Sequence, residues 1–120
     1  MRIFEVRVRP VEELRAEFLA AAKLAHTGKP FPGDQGVFFE SYETARALFT
    51  DKRLELLRLI KKHAPTSINQ LAKIAGRDFK NVHTDIVHFA YLDIVDIPRG
   101  KRVGEPLKVL YDRIDLHAEV

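Results

Sequence analysis

The sequence predicts an α+β fold, on three observations: a period-two alternation over residues 3–9, helical spacing from Ser41 to Leu92, and a return to short strand patterns after Leu92. Length limits how these can be organised. With 120 residues, 46% of them hydrophobic, the chain can bury one core and carry an appended subdomain, but not two independent cores. It has no cysteine, which removes disulfide frameworks and thiolate metal sites and suits a reducing, cytoplasmic setting. No apolar run approaches a membrane span or a signal-peptide core, so no membrane association is expected.

The alternation comes first. Phe4, Val6 and Val8 fall on one side and Glu5, Arg7 and Arg9 on the other, the pattern of a half-buried strand. From Val11 to His26 the period becomes helical, with Leu14, Phe18, Ala21 and Ala25 in one stripe, Pro10 suited to the first turn and Gly28 able to close the end. GKPFPGDQG, residues 28–36, then holds neither period and marks the boundary of a subdomain. GVFFES is a short strand. Ser41 can cap a helix through Leu48, and Thr50 a longer one through His63, whose stripe is Leu54, Leu57, Ile60 and Ala64, widened by Leu56 and Leu59. Pro65 stops that helix.

Ser67 followed by Gln70 is a capping box for a helix with Ile68, Leu71, Ala72 and Ala75 inside. Gly76 supplies a left-handed turn, Asp78 caps again, and Val82, Ile86 and Phe89 give the next helix its inward stripe. Strand patterns follow at DIVDIP, LKVLY and RIDLH, the first two joined by a connection from Pro98 to Pro106 that carries PRGKR.

This order, three helices with a tight glycine turn before the last and then a strand, a basic tip and a strand, predicts a winged helix-turn-helix domain over residues 37–120. Residues 1–36 form an N-terminal strand-helix extension. The extension is not needed for such a domain, so Phe4, Val6, Leu14, Phe18 and Ala21 are expected at a dimer or partner interface.

Charge is unevenly distributed along the chain. Residues 41–104 hold twelve Lys/Arg against seven Asp/Glu, residues 1–40 six against six, and residues 105–120 two against four. A basic centre between a neutral head and an acidic tail suits a polyanion partner. A helix can enter the major groove only if its outward residues are polar and long enough to reach base edges. With Val82, Ile86 and Phe89 inside, Phe79, Lys80, Asn81, His83, Thr84 and His88 are left outside. Asn can bond bidentately to adenine, and Lys to guanine or phosphate. Any three-helix core needs a polar outer face, and a basic hairpin tip is ordinary in a soluble protein. Their succession, with Arg99, Lys101 and Arg102 on the tip, is what favours double-stranded DNA.

The stretch TDKRLELLRLIKKHAPTSINQLAKIAGRDFKNVHTDI resembles a MarR-like winged-helix family of DNA-binding proteins in archaea and bacteria, whose pattern runs T-P-K-R-L-E-L-L-R, S-I-x-E-L-A and G-R-D-Y/F-K-N-V-H-x-D. The resemblance covers about residues 36–116 and is most specific in GRDFKNVHTD. It implies a transcriptional regulator, in some members the antitoxin of a toxin–antitoxin pair that represses its own operon, so a homodimer on operator DNA and a cognate toxin are the expected partners. Carried over residue by residue, it places Arg77, Asp78, Phe79, Lys80, Asn81, His83 and Thr84 at the DNA; Ser67, at the start of the preceding helix, is a further expected DNA contact. Two positions depart from the pattern. Asp93 stands where Leu-Gly-Leu has glycine, and Phe89-Ala90-Tyr91 replaces a leucine followed by charged residues, which suits a partner surface. A protein-interaction module gripping its partner through Phe79, Tyr91 and the N-terminal stripe is the alternative. RNA binding is weaker still, because no aromatic pairs for reading RNA on a sheet are visible.

Enzyme and metal chemistry find little footing. His83 and His88 are five apart, on different faces of a helix, and His26, His63 and His117 sit at element ends. GKPFPGDQG lacks the Lys-Ser/Thr ending of a phosphate loop, and neither Gly-x-Ser-x-Gly nor a catalytic carboxylate pair occurs. No catalysis, metal or cofactor is expected.

Overall fold

In a computed structural model the protein is α+β, and the structure describes residues 1–9, 36–118 and 120. Its elements are β1 (Ile3–Val8), β2 (Gly36–Phe39), α1 (Tyr42–Leu48), α2 (Asp51–His63), α3 (Ile68–Ala75), α4 (Phe79–Tyr91), β3 (Val95–Asp96), a 3-10 turn (Gly100–Arg102), β4 (Lys108–Val109) and β5 (Arg113–Ala118). They fall into two compact units, one of Met1–Leu48 with Arg113–Val120 and one of Phe49–Asp112. This division differs from the expected 1–36 and 37–120. RIDLH, expected in the C-terminal domain, belongs with the N-terminal strand. Among the described residues no helix is long and apolar enough to cross a membrane.

The first unit is a three-stranded sheet in the order β2-β1-β5, with both pairs parallel. β1 sits in the centre, and the alternation of its sequence is the alternation of its burial: Phe4, Val6 and Val8 are inside and the residues between them half-exposed. α1 packs on β1 and β2 and buries Ala45, and Ser41 Oγ accepts from Thr44 N at 3.2 Å to start that helix. Gly36 is required where β2 meets β1, because a Cβ there would lie 2.4 Å from the Glu5 carbonyl oxygen. The placement of Phe4 and Val6 at an interface is corrected. At 2% and 0% exposure they are committed to this unit's own core and offer no surface to a second chain. Leu14, Phe18 and Ala21, with the expected 11–26 helix and the 28–35 loop, lie outside the described residues.

The second unit is built on α2, α3 and α4. α2 begins at Thr50, whose hydroxyl accepts from Arg53 N at 3.3 Å, and buries Leu56, Leu57 and Ile60. Its stripe is rotated from the expected one: Leu54 and Leu59 are only half-buried, and Ala64 is exposed because it leaves the helix in the left-handed region at φ 47°. Leu71 and Ala72 of α3 and Val82, Ile86 and Phe89 of α4 complete the core, with the Phe49 and Phe89 rings stacked at 6.1 Å. Burial of each of the larger of these side chains, Leu71, Val82, Ile86 and Phe89, stabilises by about 1.5–3 kcal/mol. β3 and β4 form an antiparallel ladder of two residue pairs, Val95 opposite Val109 and Asp96 opposite Lys108. It is anchored by Leu107 N donating to Pro65 O and Leu110 N to Ile94 O, both at 2.8 Å.

Candidate nucleic-acid interface

α3 and α4 are set at their angle by local chemistry. Ser67 Oγ accepts from Gln70 N at 3.0 Å, and Gln70 Oε1 reaches back to Thr66 N at 2.7 Å, one residue earlier than a standard capping box would place that bond. At the other end Gly76 takes φ 65°, its N–H donating to Lys73 O and that of Arg77 to Ala72 O. This pair of bonds closes the helix in a Schellman motif, whose left-handed position favours glycine. α4 ends the same way. Asp93 N donates to Ala90 O and Ile94 N to Phe89 O, with Asp93 at φ 58° where the resembled pattern has glycine. Ile94 and Phe89 are both fully buried, which supplies the apolar contact that accompanies this motif. Asp78 differs from expectation: it holds the N-cap position, yet its carboxylate makes no capping hydrogen bond.

A carboxylate inside the unit orients α4. Asp85 is 7% exposed; its Oδ1 accepts from Arg53 Nε of α2 and its Oδ2 from Arg77 Nη2 of the turn, each at 3.0 Å. This network is not among the sequence expectations. The signal was present: Asp85 lies three residues after Val82 and one before Ile86, on the inward stripe, where an unpaired carboxylate is too costly to keep. Arg77, expected at the DNA, is turned to Asp85, and its Nη1 is buried without a hydrogen-bond partner.

The opposite face of α4 carries the other expected residues. Phe79, Lys80, Asn81, His83, Thr84 and His88 are all exposed. Apart from Asn81 they lie in two rows at helical spacing: Lys80, Thr84 and His88 form one, and Phe79 and His83 the other, which Val87 and Tyr91 continue. Within them the Phe79 and His83 rings sit 5.6 Å apart, and Thr84 Oγ1 donates to Lys80 O at 3.0 Å. The second row is apolar for a solvent-facing surface, with Phe79 at 47%, Val87 at 43% and Tyr91 at 87% exposure. Ser67 is exposed at the start of α3.

On the hairpin tip the three cations are not equivalent. Arg102 bonds to Asp96 and, from Nε at 2.9 Å, to Glu105, and these two carboxylates, Asp96 foremost, make its guanidinium more basic than usual. Arg99 and Lys101 are exposed with no carboxylate partner among the described residues. Beside the tip, the end of α4 and the hairpin enclose a recess of about 310 Å³, with Asp93, Asp96, Arg99 and Arg102 among its lining residues. Among the described residues no three His, Asp or Glu side chains gather as a metal-holding group.

Residues 48–116, more than half of the chain, match the family designated HVO_A0114. No curated protein and no solved structure matches the chain. The match takes in α2, α3, the Gly76 turn, α4 and the hairpin, and the chain belongs to the HVO_A0114 family.

Proposed function

We propose that residues 49–112 are a winged helix-turn-helix domain that binds double-stranded DNA sequence-specifically, within a dimeric cytoplasmic transcriptional regulator. The observation that carries this reading is the outer face of α4, where Lys80, Asn81, His83, Thr84 and His88 are exposed while Val82, Asp85, Ile86 and Phe89 anchor the helix from behind. α4 would enter the major groove, and the tip around Arg99 and Lys101 would meet the flanking backbone. The likeness of GRDFKNVHTD to the MarR-like winged-helix pattern supports the same reading and adds its biological setting, an autorepressor acting as the antitoxin of a toxin–antitoxin pair. As a homodimer it would present two α4 helices about 34 Å apart, one turn of duplex.

The test is fluorescence anisotropy on the duplex upstream of the chain's own gene. Lys80→Ala and Asn81→Ala should each weaken specific binding at least tenfold with unchanged thermal unfolding, since both residues are exposed. Parent-like affinity in both variants would end the reading. A second reading, a protein-interaction module without useful DNA affinity, is favoured by the exposed ring of Tyr91. Pull-down with the neighbouring gene product, which Tyr91→Ala should abolish, together with no shift of the upstream duplex, would establish it instead.

A further inference from the structure

We propose that the base pairs read by α4 are predominantly A·T, with thymine methyl groups as a principal mark; this rests on the DNA-binding reading above. In the major groove, guanine is read most often by a bidentate Arg or Lys on O6 and N7, adenine by Asn or Gln on N6 and N7, and thymine through its C5-methyl. The means for guanine are largely withdrawn here. Arg77 and Arg53, the guanidinium groups bonded to α4, both donate to Asp85 and hold 25% side-chain exposure, and Lys80 is the single Lys or Arg on α4 itself. A lysine without an arginine fork contacts phosphate or a base edge as a point charge.

What the face offers instead matches A·T pairs. Asn81 is exposed, with an amide that can pair with adenine. Thr84 donates its hydroxyl hydrogen bond to Lys80 O, so its methyl and its oxygen lone pairs are what it has left to offer. Phe79 and Val87 are half-exposed on a face that a helix in water would keep polar. The thymine methyl is the one apolar group a base pair shows in this groove, and it gives these side chains a partner. The tip points the same way. With Arg102 engaged by Asp96 and Glu105, Arg99 is left as its unpaired guanidinium, and the narrow minor groove of A·T tracts draws arginine.

The experiment uses the full chain and a randomised double-stranded DNA library, with binding then measured on the selected duplex and on the same duplex carrying deoxyuridine for thymine. Selected half-sites should be mostly A·T, and each contacted thymine should cost about 4-fold in affinity when its methyl is removed. Val87→Ala should bind the thymine and deoxyuridine duplexes more nearly alike. Asn81→Ala should lose roughly 5- to 150-fold discrimination of adenine over guanine at one position. Enrichment of G·C-rich sites, or indifference to deoxyuridine throughout, overturns the inference and leaves DNA binding standing. A library with no enriched sequence overturns both.

Discussion

Arg77, the first residue after the Gly76 turn, donates from Nη2 to Oδ2 of Asp85 at 3.0 Å, while Arg53 Nε holds the other oxygen of the same carboxylate. One side chain on the inward face of α4 thereby ties down the turn before it and the helix across from it. Removing one member of a buried pair is expensive because the remaining charge keeps its desolvation cost. Asp85→Ala should therefore destabilise the protein by roughly 2–4 kcal/mol, the upper part of the range being tempered by the water both arginines still see. Replacing Arg53, Arg77 and Asp85 together by apolar residues of similar volume should recover most of that loss. Urea denaturation measures both; an Asp85→Ala midpoint equal to the parent's would mean the network contributes nothing.

Two helix ends make opposite predictions about glycine. Gly76 stands at φ 65° with open space where a Cβ would go, so Gly76→Ala meets no atom and costs only the left-handed backbone, about 1–2 kcal/mol. Ala64 already bears that cost at φ 47°, and Ala64→Gly should stabilise by up to about 1 kcal/mol. Thermal melts of the two variants should move in opposite directions from the parent.

Features set by neighbours in the chain were legible in the sequence. Thr50, Ser67 and Gly76 act within one helical turn, and the 82, 86, 89 spacing places the inward stripe of α4 without reference to any other element. The exposed part of the site follows from that stripe by subtraction. Partnership between distant groups was not legible. RIDLH shows itself as a strand, but nothing in it says that its neighbour is β1, at the far end of the chain. Phe4 and Val6 carried the right alternation and the wrong destination, since periodicity tells that a face is buried and not against what. The same holds for charge: counting cations does not separate Arg77 and Arg102, which are paired, from Lys80 and Arg99.

On β5, Arg113 donates from Nε to Asp115 at 2.7 Å and from Nη2 at 3.1 Å, and these bonds hold the Asp115 carboxyl below its ordinary pKa. A carboxyl whose pKa is depressed by folding contributes stability above the ordinary carboxylate range, and that contribution is lost as pH falls through the depressed folded-state value. Arg113→Gln should therefore raise the Asp115 titration midpoint toward the ordinary value, as followed by carboxyl NMR. The variant should also lose less stability than the parent on acidification below that range. A midpoint unmoved by the substitution would show that the bidentate contact does not persist in solution.

The hairpin tip gives a prediction in which three cations alike in sequence behave differently. Each phosphate neutralised by a lysine or arginine releases counterions, and losing one such contact lowers the slope of log affinity against log salt by about 1. Arg99→Ala and Lys101→Ala should each do this while leaving preference among sequences nearly intact for Lys101. Arg102 is already bonded to Asp96 and Glu105, so its field at a phosphate is largely offset. Arg102→Ala should then leave the salt slope close to the parent's and act instead on the loop, removing the bonds that tie Asp96 and Glu105 together and lowering the thermal stability of the hairpin. Anisotropy titrations over a series of salt concentrations, together with thermal melts, separate the two effects. Equal slope losses for all three variants would show that Arg102 leaves its carboxylates to meet the duplex.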